Sequence, residues 1–500
     1  MLSRSAVKDQ VNREPRFDDI MNTLMAQPAL PRPVVREVRR AVAVARKFND
    51  QNVRPGALEL DRRMHEDPSY LPWDFVTEAG RWRFYSMFLP KMFGGLGVAA
   101  LAAPPVAEEL ASACLGMANL ILVHYLGVAA LACTLNTRLM NRIFRDVAAG
   151  EESGRPCLIS TAITEPGAGT DVEETELVDR GRVTCHAKKV DGGYLVNGTK
   201  VFISSGHLST WHILIAYSDL DKPSRNTVVM AVRNGMKGFS FGKMEKKMGQ
   251  KGCPASELVF DDCFVPDEYV CGSPDDIAFK GMDKKDVIQL LLDDVLSASR
   301  AGVGALGAGA ARGAFEAARD MAASEKINGR LLINHEWAQC LLAEMYKNVV
   351  SARLTYMESN YANGLYGASA DLQARPAYYY MKLTPRAWFD RVVSGWLEKP
   401  AATRLMRSRR FRQHDEDNTL RVAGLGSLAK FFGTDMGIKN CHLALDLMGQ
   451  AGLRHDHRAE KFLRDAKLLQ IYEGTNQLNR LNVFKCLIGR NYPQAKVFDE

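Results

Sequence analysis

Apolar side chains recur at helical spacing from Val34 onward, at Val35, Val38, Val42, Val44 and Phe48, and the pattern resumes from Trp73 to Phe84. A Gly94-Gly95-Leu96-Gly97 turn follows. Leu110 to Cys133 then carries no charged residue and is long enough to cross a bilayer. Asn119, His124, Gly116 and Gly127 interrupt it and Glu108-Glu109 precede it, so it reads as a helix buried on all sides. With an amphipathic helix from Thr137 to about Ala149, residues 34–157 predict a helical domain. From 158 to 285 the period shortens to β-rich runs: Tyr194-Leu195-Val196, His212 to Tyr217, Thr227 to Val232, and Glu257 to Phe260. Asp191-Gly192-Gly193, Asn197-Gly198, Asn234-Gly235 and Val265-Pro266 read as the turns between them, which predicts a β barrel or sandwich. Residues 286–500 return to helical spacing. Residues 1–33 are polar and end in Pro28, Pro31 and Pro33, the pattern of a loose arm.

Five hundred residues exceed what one core serves, in agreement with this division. The composition, 46% hydrophobic and 25% charged, is that of a soluble globular chain. A net charge of +7 suits an anionic small ligand but supplies no nucleic-acid stripe. The ten cysteines include no C-x-x-C pair, which predicts no metal site and no disulfide framework. A cytoplasmic location fits, or a mitochondrial matrix in a eukaryote, because Met1 to Phe17 lacks an apolar signal core.

The candidate chemistry sits at Ile471-Tyr472-Glu473-Gly474-Thr475. A helix carrying Leu463, Leu468 and Ile471 runs into a carboxylate and then a glycine. Thr475 reads as the N-cap of a second apolar run, Leu478, Leu481, Phe484, Leu487 and Ile488. A glutamate on such a corner can project into a cleft as a catalytic base. Taken alone, the pentapeptide reads first as a solvated glutamate at a helix–helix turn. A second small-residue loop, Thr164-Glu165-Pro166-Gly167-Ala168-Gly169-Thr170-Asp171, exposes backbone amides and two hydroxyls suited to anionic or ring-acceptor atoms. Gly302-Val303-Gly304-Ala305-Leu306-Gly307 matches a dinucleotide fingerprint, but the residues before it have helical spacing, so these glycines predict close helix packing.

Arg464-Asp465-Ala466-Lys467, followed by Gln470 to Gln477, resembles the C-terminal signature of the flavin-dependent acyl-CoA dehydrogenases, and Thr164 to Asp171 resembles their central signature. The resemblance covers roughly residues 34–490. It implies an α+β multi-domain fold: an N-terminal helical domain, a middle β-barrel or sandwich domain and a C-terminal helical bundle. It also implies FAD as cofactor and an acyl-CoA substrate oxidised to the trans-2-enoyl-CoA, with Glu473 as α-proton base and hydride transfer to flavin N5. Thr164, Gly169, Phe202, Ser204, Thr475 and Gln477 would contact the flavin, and Thr170 would lie at both the flavin and the CoA phosphates. Arg300, Tyr472 and Gly474 would line the substrate. Gly449, in Gly449-Gln450-Ala451-Gly452, stands where a diglycine usually meets the cofactor of a neighbouring subunit. Glu325-Lys326-Ile327-Asn328-Gly329 keeps only the glycine of the R-x-x-F-G pattern that serves the same purpose, and Glu336 stands at a usual glutamine. Ser299 occupies the place where some relatives carry an alternative base. Ala118, with Leu122 a turn away, stands where others carry an arginine for a distal carboxylate, which implies an uncharged acyl tail. An electron-transfer flavoprotein as acceptor and a homodimer or homotetramer follow from the same resemblance. A flavin oxidase or monooxygenase of this fold, and a non-catalytic assembly homologue, are the alternatives.

Residues 364–425 exceed what the family generally has between these helices. They hold Tyr378-Tyr379-Tyr380, Trp388-Phe389 and Trp396, then Arg404, Arg407, Arg409, Arg410 and Arg412. Such an insert is either a helical elaboration packed on its own subunit or a neighbour, or a docking surface for an anionic membrane or an acidic electron-transfer partner.

Overall fold

The structure is a computed structural model and describes residues 22–273, 282–492 and 494–499. Helix α1 (Asn22–Ala29) lies in the stretch expected as a loose arm. Its first residues are tied down by Glu358, whose carboxylate accepts from the Asn22 amide at 2.8 Å and the Thr23 hydroxyl at 2.7 Å. Helices α2 (Pro33–Phe48), α3 (Arg54–Glu66), α4 (Trp73–Arg81), α5 (Ala103–Ala111), α6 (Leu115–Cys133) and α7 (Thr137–Glu152) complete the first helical layer. The apolar stretch from Leu110 is thus two helices. Ser112 bonds back to the Glu109 carbonyl at 2.8 Å and Cys114 is extended, which breaks the run before α6 begins. Over its most apolar window α6 is 61% buried inside the protein, as expected of a core helix.

Eight strands follow: β1 (Leu158–Ala162), β2 (His186–Val190), β3 (Gly193–Ser204), β4 (Ser209–Tyr217), β5 (Thr227–Arg233), β6 (Phe239–Met244), β7 (Ala255–Pro266) and β8 (Val270–Gly272). They form one sheet in the order β6-β7-β3-β2-β4-β5-β8, with β1 parallel to β4. Asn197-Gly198 is no turn. It lies inside β3, where the register with β7 slips, and a Cβ on Gly198 would come within 2.6 Å of the Cys185 backbone.

The third layer comprises α8 (Lys284–Ser324), α9 (Glu336–Tyr366), α10 (Arg375–Leu383), α11 (Pro400–Arg412), α12 (Glu416–Met448), α13 (Ala459–Leu469) and α14 (Asn476–Val483). The Gly302–Gly307 stretch lies in the middle of α8 and works as close packing requires. A Cβ on Gly304 would sit 2.5 Å from the Ala429 carbonyl oxygen, and one on Gly307 would sit 2.4 Å from the Gly433 carbonyl carbon, so α8 and α12 meet backbone to backbone. One continuous apolar core joins the two helical layers to the inner face of the sheet through Trp211, Ile213 and Ala231.

The segment expected as an insert folds onto its own chain. Between α10 and α11, Arg386–Trp388, a π turn at Phe389–Val393 and Ser394–Leu397 run on as one helical segment beside α7. Arg145 of α7 donates to Asp390 at 2.6 Å, Arg386 to Glu152 at 2.7 Å, and Arg410 to Asp294 of α8 at 2.6 Å.

Candidate active site

α13 ends at Leu469, and the chain then turns through two consecutive left-handed residues, Glu473 (φ 57°) and Gly474 (φ 73°), before Thr475 caps α14 by accepting from the Leu478 N–H at 3.3 Å. A glycine takes the second of these conformations without strain. A glutamate in the first is uncommon, and such a residue persists only where its surroundings hold it there. They do so here. The Glu473 carbonyl accepts from the Arg300 Nε at 3.2 Å and the Asn479 amide at 3.2 Å. The Gly474 carbonyl accepts from the Lys430 Nζ at 2.7 Å and the Asn479 amide at 2.9 Å. The Gly474 N–H donates to Glu173 Oε1 at 2.8 Å. Among the described residues the Glu473 N–H alone has no such protein acceptor between Tyr472 and Gly474.

The Glu473 carboxylate accepts from the Ser299 hydroxyl at 2.6 Å. Burial is the main influence on it, with the nearby Glu173 charge second, and together they raise its pKa to about 7 against the pull of Ser299, Arg300 and Lys430. Glu173 is itself raised by burial, although Arg300 Nη2 lies 3.1 Å from its Oε2. Lys430 is fully buried, and burial lowers its pKa to about 7. The turn therefore has a positive and a negative wall, and neither side carries its ordinary proton affinity.

Arg300, expected beside the substrate, is only 2% exposed and directs Nε, Nη1 and Nη2 to Glu473, Ser427 and Glu173. It reaches the site through the Glu473 carbonyl. Tyr472 packs against the core with its hydroxyl 3.4 Å from the Gln250 amide. Glu173 and Lys430 did not emerge from the sequence. Glu173 is an ordinary carboxylate just past the glycine loop and Lys430 an ordinary lysine in a helical stretch, and only the folded chain brings both to Gly474.

The second loop lies on the sheet. Glu165 is buried and receives Lys200 Nζ at 2.8 Å and the Cys185 N–H at 3.0 Å, while the Thr164 carbonyl takes the Val201 N–H at 2.9 Å. This anchors the loop to β3 beside Phe202 and Ser204. Gly169 is exposed with open space where a Cβ would point. Phe202 has φ 58° and is 60% exposed, so its ring stands off β3 instead of filling the sheet's core. An unburied aromatic ring next to an anchored, amide-rich glycine turn suits a planar cofactor with a charged tail. Glu173 closes the short 3-10 helix that begins at Thr170, so this loop and the Glu473 turn are joined by the Glu173 to Gly474 bond. Thr475 and Gln477 flank the same turn, Gln477 being exposed. Gly449 is not brought to it: it is exposed at the far end of α12, about 28 Å beyond Lys430 at 1.5 Å per residue.

The site thus combines a carboxylate with its pKa raised to about 7, a main-chain N–H without a protein acceptor among the described residues, and an exposed aromatic ring. Residues 36–151, 160–263, and 291–384 with 396–488 match the N-terminal, middle and C-terminal domains of acyl-CoA dehydrogenase. The chain belongs to the acyl-CoA dehydrogenase family of FAD-dependent oxidoreductases. It is 26% identical over 446 residues to the probable acyl-CoA dehydrogenase fadE25 of Mycobacterium leprae, covering 89% of this chain and 94% of that protein. It has the fold of butyryl-CoA dehydrogenase from Megasphaera elsdenii, with a TM-score of 0.68 at 21% identity over 90% of this chain and 98% of the other. Glutaryl-CoA dehydrogenase from Mycobacterium smegmatis in complex with FADH2 shares it too, with a TM-score of 0.66 at 18% identity over 90% and 94%. The matched C-terminal stretches leave 385–395 between them, inside the expected insert.

Proposed function

We propose that this protein oxidises an acyl-CoA thioester to the trans-2-enoyl-CoA, with Glu473 taking the α-proton. The observation that carries this reading is the Glu473 turn itself: a carboxylate raised to about 7, fixed by Ser299, with its own N–H unengaged. A base near the working pH is charged often enough to act and basic enough to take a weakly acidic proton. The Glu473 N–H is the donor for the thioester oxygen, stabilising charge as the α-proton leaves. Bound FAD supplies the acceptor for the β-hydrogen, which departs as hydride.

Thr164, Gly169, Thr170, Phe202, Ser204, Thr475 and Gln477 are the residues assigned to hold the cofactor, with Thr170 also toward the CoA phosphates. Tyr472 and Gly474 are assigned to the substrate, and Arg300 supports both through the turn. Gly449 meets cofactor only from a second copy, and the outward stripe Leu481, Phe484 and Ile488, 45, 38 and 49% exposed, suits burial in a homo-oligomer. The absence of charge along α6, with Ala118 buried, favours an uncharged acyl tail. An electron-transfer flavoprotein is the acceptor assigned from the family.

Anaerobic addition of acyl-CoAs to the purified yellow protein tests this. Glu473→Gln is expected to retain flavin and lose substrate-dependent bleaching. Undiminished bleaching in that variant overturns the assignment, and a colourless wild-type protein would support the non-catalytic alternative.

A further inference from the structure

The 386–397 segment has two unlike faces. Phe389 and Leu397 are buried, and the acids Asp390 and Glu398, both still exposed, bond to Arg145 and Asn141 of α7. Trp388, Val392 and Trp396, at i, i+4 and i+8, point outward and are 41, 52 and 39% exposed. Arg391 and Lys399 interleave with them. Tyr380 of α10 places its ring 6.0 Å from that of Trp388 and extends the patch. Leu383, at the corner between the two, is 79% exposed, the highest value for a large apolar side chain among the described residues.

The charge around it is mostly positive, although Lys382, Arg386, Arg409 and Arg410 are paired with Glu37, Glu152, Asp371 and Asp294. Residues 375–412 hold ten Lys and Arg against two Asp and Glu, in a chain whose net charge is +7. The two acids are the ones bonded to Arg145 and Asn141 of α7. Arg391, Lys399 and Arg404 make no ion pair among the described residues. Single exposed apolar residues need no explanation, but a contiguous set rimmed by unpaired cations does.

We infer that this face docks on an anionic lipid bilayer. Tryptophan and tyrosine rings sit at headgroup depth with their polar edges wet, and unpaired lysine and arginine gain phosphate partners there. Leu383 protrudes instead of lining a recess, so it enters a soft acyl layer without needing a matching pocket. Each cation near such a surface strengthens binding about fivefold at moderate salt. Docking through this corner orients the enzyme while leaving the Glu473 turn, on other elements, untouched.

Flotation of the FAD-loaded full chain with vesicles of phosphatidylcholine alone, and with added phosphatidylglycerol, tests the inference. The wild type is expected to float with the anionic vesicles only, less so as salt rises. The triple variant Arg391→Gln, Lys399→Gln, Arg404→Gln is expected to bind about a hundredfold more weakly. A second variant, Leu383→Ser with Trp388→Ser and Trp396→Ser, is expected to lose flotation while keeping its Tm, flavin content and turnover of soluble acyl-CoA. Wild type that fails to float, or cation variants that float as well as wild type, overturns the inference. So does a patch variant that breaks up an oligomer, or one that floats normally but loses turnover with an electron-transfer flavoprotein. Those two results would assign the face to a second copy or to that partner.

Discussion

Ser299 donates its hydroxyl to the Glu473 carboxylate at 2.6 Å, from the residue directly before the arginine that holds the Glu473 carbonyl. One turn of α8 thus grips both ends of the same residue. A hydrogen bond to the charged form of an acid lowers its pKa, so Ser299 opposes the burial that raises it.

Ser299→Ala removes that opposition. The midpoint of the rising limb of kcat/KM against pH, expected near 7 in the wild type, should move up by about one unit. At pH 6 the variant would be about tenfold slower, and at high pH nearly as fast as wild type. A stopped-flow pH profile of flavin reduction reads this directly, and an unmoved midpoint would show that Ser299 does not act on the base.

Glu173→Gln should move the same midpoint the other way. Its negative charge raises Glu473, and a glutamine keeps an acceptor for the Gly474 N–H while removing that charge. It also strips the buried Arg300 of its ion-pair partner, a change that costs about 3 kcal/mol of stability where the arginine stays buried. The expected result is therefore an acid-shifted profile in a less stable protein, checked by the same kinetics with thermal or urea unfolding.

Acid should destabilise the fold through His124. It is buried, accepts from the Ile159 N–H at 3.0 Å, and lies 3.1 Å from the Tyr85 carbonyl, so it is neutral with its proton on Nε2. Burial lowers its pKa to about 3. The unfolded chain takes up a proton near 6.5 and the folded one does not, so this contribution is complete above 6.5 and is lost as pH falls toward 3. Between pH 5.5 and 4 the stability of the wild type should fall more steeply than that of His124→Gln, by about 1.4 kcal/mol per pH unit. Urea unfolding across that range measures the difference in slope, whatever the variant's absolute stability.

The helix and strand content, the helical nature of the Gly302–Gly307 stretch, the Thr475 cap and the Glu473-Gly474 corner were all legible in the sequence. Each rests on local spacing or on a single residue's conformational preference, and those act within a few positions along the chain. Two local readings failed because a distant part of the chain intervened. The stretch from Asn22 became a helix because Glu358 holds its first turn, and Asn197-Gly198 became a bulge because β7 runs alongside it. Only the tertiary structure decided what surrounds Glu473. Glu173, Ser299, Arg300 and Lys430 come from a sheet loop and two long helices, and lie up to 300 positions along the chain from Glu473. Proton affinity depends on burial and on charges a few ångströms away, which local sequence does not encode. Which side of the 386–398 segment bonds to α7 and which carries the exposed aromatics was settled in the same way, by where α7 lies.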